Sequence, residues 1–145
     1  MFSQTSQLHI IILQCFRLFA SSPCARPFLY DILDSGGYMS EGQLLAKLRR
    51  DAQRIAKCFK LRYLDLDVEP QRVRSRFGSC DEDRRIRVRL HNLRTGRFLQ
   101  YQNLVHTLCH ELAHVKYLNH SNEFKMLNER ILGWARAKRI YRPKC

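Results

Sequence analysis

Apolar residues recur at intervals of three and four from residue 41 to residue 59, in the stretch EGQLLAKLRRDAQRIAKCF. This spacing is typical of an amphipathic helix with one buried face. Ser40 and Gln43 match a capping box, so we expect the helix to begin there. The opposite face is basic, which is compatible both with a solvated surface and with a nucleic-acid contact. The apolar face comprises Leu44, Leu45, Leu48, Ala52, Ile55, Ala56 and Phe59, and the basic face comprises Lys47, Arg50, Arg54 and Lys57.

Three shorter stretches alternate apolar and polar residues, which is typical of strands. They lie in LRYLDLDVEP, RVRSRFGSC and RIRVRL, and the acidic DEDRR between the last two indicates a tight turn. Gly78 indicates a bend or bulge, and Gly96 a break in the loop that follows. We expect the three strands to form a short meander. Their apolar positions are Leu64, Leu66, Val68, Val73, Phe77, Ile86, Val88 and Leu90, and the third strand carries Arg85, Arg87 and Arg89 on its other face.

Two further helices are predicted after the strands. The stretch LVHTLCHELAHV repeats its apolar residues at helical spacing, and Ser121 is a suitable N-cap for a last helix before Pro143. The apolar face of the first comprises Leu104, Leu108, Leu112 and Val115, and that of the second comprises Phe124, Leu127, Ile131, Leu132 and Trp134. The sequence therefore predicts an α+β domain with an N-terminal helix, a three-stranded sheet, a central helix and a C-terminal helix.

The central helix carries the motif HELAH, in which His110 and His114 are four residues apart and fall on one side, away from the apolar face. This is the shortest way for a helix to present two imidazoles to one metal ion, and Glu111 lies beside them without pointing the same way. A third ligand must come from elsewhere. We expect Asn119 to adopt a left-handed turn that brings His120 back to the other two.

This pattern predicts a catalytic zinc site. Three histidines would hold the ion with one position open for water, and Glu111 would act as the general base. The alternative is a core helix whose histidines are satisfied by structural contacts. His106 lies four residues before His110, but three ligands along one helix would span about 12 Å of rise. We therefore interpret His106 as a surface residue in preference to one that supports a ligand from behind.

The chain has 145 residues and a formal net charge of +13. Residues 1–38 contribute two arginines and two aspartates, which cancel, so the whole charge lies in the remaining part. A surface this basic attracts polyanions, and DNA is a candidate partner, although a solvated face without a partner fits equally. Six cysteines occur without a Cys-x-x-Cys pair; we expect reduced thiols, with Cys58 and Cys109 buried.

Residues 1–38 are interpreted as an extension of a domain at 39–145. An apolar run from Leu8 to Ala20 suits the core of a signal peptide, but no positive residue precedes it and Arg17 interrupts it. It is too short to span a membrane as a helix. An organellar presequence and a dispensable segment before Met39 both fit this stretch. We expect an intracellular protein, which could be cytoplasmic, nuclear or organellar. We also expect it to be monomeric and without stable membrane insertion.

The combination of RSRFGSC at 74–80, the strand RIRVRL, HELAH at 110–114 and NHSNEF at 119–124 resembles the YgjP-like metallopeptidase domain, a relative of the SprT-like and WLM proteases of the zincin class. The resemblance covers about residues 45–140. It implies a zincin-like fold and a peptide or protein substrate. It also implies roles for four residues, with zinc ligands at His110, His114 and His120 and a catalytic base at Glu111.

The same resemblance implies that the strand from Arg85 to Leu90 is the sheet edge along the cleft, where an extended peptide adds as a further strand. Phe77 departs from the tryptophan usual in the family. The helix spacing in FLQYQNLVHTLCHELAH is also similar to that of WLM proteases, which act on proteins crosslinked to DNA, but the chain lacks the cysteine ribbon of many SprT-like proteins.

The leading hypothesis is therefore a zinc-dependent metallopeptidase. Its rivals are a nucleic-acid-binding module without catalysis and a protease that DNA stimulates. No second donor to the oxyanion follows from the sequence; Tyr117, His91 and Tyr141 are candidates by position alone, and structural roles suit each of them better.

Overall fold

The computed structural model describes residues 39–143, and contacts group Met39–Pro143 into one compact unit. The predicted extension at 1–38 lies outside the described residues. The helices are α1 (Glu41–Phe59), α2 (Tyr101–His114) and α3 (Asn122–Ala137), and the strands are β1 (Asp65–Val68), β2 (Gly78–Cys80) and β3 (Arg85–Val88). Within the described residues, three helices and one small sheet confirm the predicted α+β class.

Helix α1 begins where the capping box predicts. The Ser40 hydroxyl accepts from the Gln43 amide at 3.2 Å, and the Gln43 side chain accepts from the Ser40 amide at 2.9 Å. Lys60, in the left-handed conformation with φ 55°, ends the helix. Asp51 lies buried on the apolar face, which the sequence did not predict. Its carboxylate accepts a 2.6 Å hydrogen bond from the Tyr101 hydroxyl, so it joins α1 to α2.

The sheet is mixed, so the predicted meander is wrong. β3 lies in the centre, parallel to β1 and antiparallel to β2. The turn at 81–84 joins β2 and β3 as a hairpin, as DEDRR predicts, with the Arg84 amide donating to the Asp81 carbonyl at 2.9 Å. The segment between β1 and β2 carries the chain past β3. Because β3 is paired on both sides, the expectation that it forms the sheet edge is also wrong.

The inner face of the sheet carries Leu66, Ile86 and Val88, which are fully buried against the helices. Leu64 is 63% exposed because β1 begins only at Asp65. Val73 and Phe77 lie outside β2, which has three residues.

Arg89 was predicted on the wet face but is buried. Its guanidinium lies over the Phe77 ring, at 5.2 Å from the centroid, and donates to the Val73 carbonyl. The crossing segment that contains Val73 and Phe77 therefore packs over Arg89 and removes it from water.

Helix α2 lies in the middle of the fold and contacts β2, β3, α1 and α3. Leu104, Leu108 and Leu112 are buried as predicted, whereas Val115 is half-buried after the end of the helix. Ser121 caps α3 by accepting from the Phe124 amide at 3.3 Å. On α3 the predicted Phe124, Leu127 and Ile131 are buried, and Leu132 and Trp134 are half-buried.

The described cysteines are free thiols. Cys109 is buried as expected, but Cys58 is exposed because it lies beside, rather than on, the buried face of α1. Within residues 39–143, no helix combines the length and hydrophobicity that crossing a membrane requires.

Candidate metal centre

Three imidazoles meet at the C-terminal end of α2. The Nε2 atom of His110 lies 3.1 Å from the Nε2 of His114 and 3.1 Å from the Nε2 of His120. One ring nitrogen from each residue lies within 4.8 Å of the others. The structure thus brings together the three histidines that the sequence predicts as ligands, two from one helix and one from the following loop.

The backbone fixes the proton of His114. Its Nδ1 atom lies 2.9 Å from the Tyr117 carbonyl oxygen, which can only accept a hydrogen bond. Nδ1 therefore carries the hydrogen, and in the neutral ring Nε2 is left with a free lone pair directed at the other two histidines. A metal-ligating histidine needs this tautomer, and a backbone carbonyl is one of its usual partners.

His120 reaches the site by a different turn from the one predicted. Among the described non-glycine residues, positive φ occurs at Lys60, Arg84 and Arg139, so the left-handed turn predicted at Asn119 is wrong. Helix α2 ends earlier, at His114, and the Tyr117 amide bonds back to the Ala113 carbonyl at 3.1 Å. The chain has already turned before Asn119.

Phe124 forms one wall of the site, a role that sequence reasoning missed. Its ring centroid lies 4.9 Å from that of His110, 4.4 Å from that of His114 and 4.8 Å from that of His120. The signal in the sequence was its position three residues after the N-cap Ser121, which places it in the first turn of α3. An apolar wall restricts the rotation of all three rings and keeps water from one side of the cluster.

Burial keeps the histidines neutral. It lowers the pKa of His110 to about 3 and that of His114 to about 4, and it also lowers the pKa of His120. The neighbouring histidines add to the effect at His110, because a second positive charge in the cluster is unfavourable. The donor set near neutral pH is therefore three uncharged nitrogens.

The cluster fits a tetrahedral metal ion. Zinc binds imidazole nitrogen at about 2.0–2.1 Å, and two ligands at the tetrahedral angle are then about 3.3 Å apart. The two separations of 3.1 Å are close to this value. Three nitrogen ligands leave a fourth position open, which is the coordination of catalytic rather than structural sites.

Glu111 lies next to the cluster and is only 6% exposed. Its carboxylate packs against β2: a Cβ atom added to Gly78 would lie 2.8 Å from Glu111 Oε1. Burial raises the pKa of Glu111 to about 8; the Arg76 guanidinium opposes this rise and the Glu69 carboxylate adds to it. Gly78 is therefore not the bend predicted from the sequence, but a residue without a side chain where α2 approaches the sheet.

A second buried carboxylate lies behind this contact. Glu69 is completely buried, and its Oε1 atom accepts from the Nε and Nη2 atoms of Arg76 at 3.1 and 3.0 Å. Its Oε2 atom accepts from the Ser79 hydroxyl at 2.8 Å. This network holds Arg76 close to β2. Sequence reasoning missed this network, because Glu69 continues the alternation of Asp65 and Asp67, both of which are exposed.

The remaining candidates have structural contacts. His106 is half-buried against Tyr141, with ring centroids 6.0 Å apart, so the prediction that it lies on the surface is wrong. His91 stacks on Phe98 at 4.4 Å. Tyr117 supplies its carbonyl, not its hydroxyl, to the cluster.

The chain is similar to proteins of a known family. A family model described as YgjP-like, metallopeptidase domain, matches residues 38–141. Among solved structures, the crystal structure of Wss1 from Saccharomyces cerevisiae matches with a TM-score of 0.57 and 20% sequence identity, covering 67% of this chain and 79% of that chain. At this identity the likeness concerns the fold alone. No curated protein matches significantly.

Proposed function

The chain belongs to the YgjP-like metallopeptidase domain family, whose model spans most of its length, and from this premise we propose that it is a zinc-dependent peptidase with a glutamate base. The observation that carries the proposal is the convergence of three Nε2 atoms, one of them in the tautomer that ligation requires. His110, His114 and His120 would hold the ion. Three nitrogen ligands with an open position favour zinc over magnesium or calcium, which prefer oxygen.

Zinc in such a site supplies a Lewis acid that polarises a carbonyl group and makes water nucleophilic near neutral pH. Glu111 would take the proton from the attacking water and pass it to the leaving amine. Burial raises the pKa of Glu111 and a bound dication would oppose this rise, so the carboxyl can accept a proton near neutral pH and return it. Because Gly78 contacts one side of the carboxylate, Glu111 has little freedom to rotate away.

The free edge of β2 is where an extended substrate would lie. Within residues 39–143, β2 pairs with β3 on one side only, and it begins at Gly78, beside Glu111. A peptide that adds to this edge as a further strand would bring its backbone past the metal centre, with main-chain hydrogen bonds holding it independently of sequence. This location replaces the one expected from the sequence on β3.

The experiment is proteolysis by the zinc-loaded wild type and by Glu111→Gln. The substitution preserves the shape of the side chain but cannot accept a proton. We expect the variant to keep its zinc and to lose casein cleavage by about 10²-fold or more, the usual contribution of a general base. Equal cleavage by the two proteins would refute the role of Glu111. Absence of cleavage by the wild type on any protein substrate would refute the peptidase.

A second candidate is a DNA-associated peptidase, which the formal charge of +13 favours. The four basic residues predicted on the outer face of α1 are exposed, although Lys47 lies over the Tyr101 ring and Arg54 pairs with Asp51. DNA should then bind with an affinity that falls steeply as salt rises, and should increase casein cleavage. Fluorescence anisotropy with a labelled oligonucleotide between 50 and 200 mM salt, about the range over which such contacts weaken strongly, tests the first point. Cleavage unchanged by saturating DNA would exclude stimulation.

A further inference from the structure

Arg76 has a geometry that the proposed reaction does not use. Its Nε and one hydrogen of Nη2 are directed at the buried Oε1 of Glu69, at 3.1 and 3.0 Å. The guanidinium is planar, so these two bonds fix its orientation. Among the described residues, no partner is found for its Nη1 atom, and 43% of the side chain is exposed. A rigid cation is thus held by one edge and open to solvent on the other.

Arg76 also lies close in sequence to a residue beside the metal centre. It is two residues before Gly78, where an added Cβ atom would lie 2.8 Å from Glu111 Oε1. A peptide that lies along the free edge of β2 would thus pass the candidate base on α2 and the exposed guanidinium two residues before the strand.

The local charges favour an anion there. The carboxylate of Glu69 is already paired with Arg76, and a bound dication would add positive charge beside them. The chain as a whole is strongly basic, which draws acidic peptides toward it. Two coplanar N–H groups on the open edge of a guanidinium match the two oxygens of a carboxylate.

We propose that Arg76 forms a carboxylate-binding subsite beside the metal centre, which selects peptides that carry a carboxylate next to the scissile bond. This inference rests on the proposed peptidase function. The carboxylate can be an aspartate or glutamate side chain, or the C-terminus of the peptide. Arg76 acts in substrate binding rather than in proton transfer, so its loss should change affinity for acidic peptides and leave neutral ones unaffected.

The test measures binding rather than turnover, with the zinc-loaded full-length Glu111→Gln protein. Three fluorescein-labelled pentapeptides of alanine are compared by fluorescence polarisation. The first has a central asparagine and an amidated C-terminus, and therefore no carboxylate of its own. The second has a central aspartate and an amidated C-terminus, and the third has a central asparagine and a free C-terminus. We expect the second or third to bind about tenfold tighter than the first, as for a charged hydrogen bond. The arm that gains identifies the source of the carboxylate.

The variants separate recognition from folding. Arg76→Met alone leaves Glu69 buried without its cation, so the double variant Arg76→Met/Glu69→Gln is measured beside it. Both should bind all three peptides equally. Arg74→Met is the matched control, because Arg74 is an exposed arginine of the same segment, and it should keep the tenfold difference. Zinc content and melting temperature are recorded for each.

Two results would overturn the subsite: no preference for either acidic peptide, or a preference that survives loss of Arg76. An equal loss in Arg74→Met would overturn it as well, since general attraction would then explain the effect. Casein cleavage by the wild type is measured in parallel. If cleavage is absent while the Arg76-dependent preference is present, the peptidase function is refuted but the carboxylate-binding subsite is supported.

Discussion

Substitution of Gly78 by alanine should disable the enzyme without removing its metal. A Cβ atom at this position would lie 2.7 Å from Thr107 Cγ2, 2.8 Å from Glu111 Oε1 and 3.0 Å from the Arg87 carbonyl oxygen. The last is backbone of the central strand and cannot give way. The two side chains on α2 must therefore move, and one of them is the candidate base.

The size of the effect follows from these distances. Carbon atoms pack best at about 3.5–4.0 Å, so Thr107 Cγ2 must retreat by about 0.8 Å, and the Glu111 carboxylate by a similar distance. Overpacking of this kind costs about 1–3 kcal/mol of stability. A misplacement of about 1 Å in a reacting group lowers the rate by about 10²-fold. None of the three atoms nearest to the new methyl group belongs to a histidine, so zinc should remain.

The assay combines kcat/KM on a cleavable peptide, zinc content and urea unfolding. Gly78→Ala should hold one zinc per chain, lose about 10²-fold in kcat/KM and lose about 1–3 kcal/mol. Gly133→Ala is the matched control: no atom lies within 4 Å of its added Cβ, and it should gain about 0.5–1 kcal/mol with unchanged activity, as for alanine in a helix.

A double variant separates the two contacts. Gly78→Ala/Thr107→Ser removes the Cγ2 atom and should recover part of the stability, but not the activity, because the contact with Glu111 remains. Wild-type kcat/KM in Gly78→Ala would refute the reasoning. Loss of zinc together with activity would also refute the reasoning, since the substitution would then have displaced the histidine ligands rather than Glu111 alone.

Two further predictions concern stability. Tyr101→Phe removes the 2.6 Å hydrogen bond to the buried Asp51 carboxylate and should cost about 1–3 kcal/mol in urea unfolding, whereas Tyr63→Phe should change stability by less than about 0.5 kcal/mol; equal losses would contradict this. The metal-free protein should lose stability as pH falls below 6.5, because the unfolded histidines bind protons that the folded site, with pKa values near 3 and 4, excludes. Glu111 opposes this loss, because its carboxyl keeps its proton up to about pH 8 in the folded protein but releases it above about pH 4.5 in the unfolded one. Glu111→Gln should therefore make the loss of stability steeper. Stability that does not change between pH 6.5 and 4.5 would contradict the burial of neutral histidines.

Local patterns predicted the helices well. The bounds of α1 follow from its apolar spacing and from the Ser40 capping box, both of which depend on residues within a few positions of each other. The pairing of His110 with His114 is equally local, since one turn of helix places them side by side. Both features can be predicted because the residues that define them are close in sequence.

The errors lie where distant residues meet. Alternation in β1 and β3 identifies which face is buried, but it does not say which strands are neighbours, so the mixed order was predicted as a meander. Arg89 is buried because the segment before β2 covers it. Gly78 was interpreted as a bend, but the position has no room for a side chain because Glu111, more than thirty residues later, packs against it.

The loop to His120 shows the same limit within the site. The sequence predicts that the third histidine returns to the helix, but not how. The tolerance of Asn119 for a left-handed conformation was a local argument, whereas the bond between His114 Nδ1 and the Tyr117 carbonyl depends on the turn that follows the helix. The interaction that fixes the loop also fixes the histidine tautomer.

Zinc analysis of single alanine variants tests the proposed metal centre most directly. The full-length wild type, purified without chelators, should hold one zinc per chain, with X-ray absorption showing nitrogen or oxygen ligands at about 2.0–2.1 Å. His110→Ala, His114→Ala and His120→Ala should each lose the zinc. His106→Ala, on the same helix, should keep it. A wild type without metal, a His120→Ala variant that retains its zinc, or a His106→Ala variant that loses it would contradict the three-histidine centre.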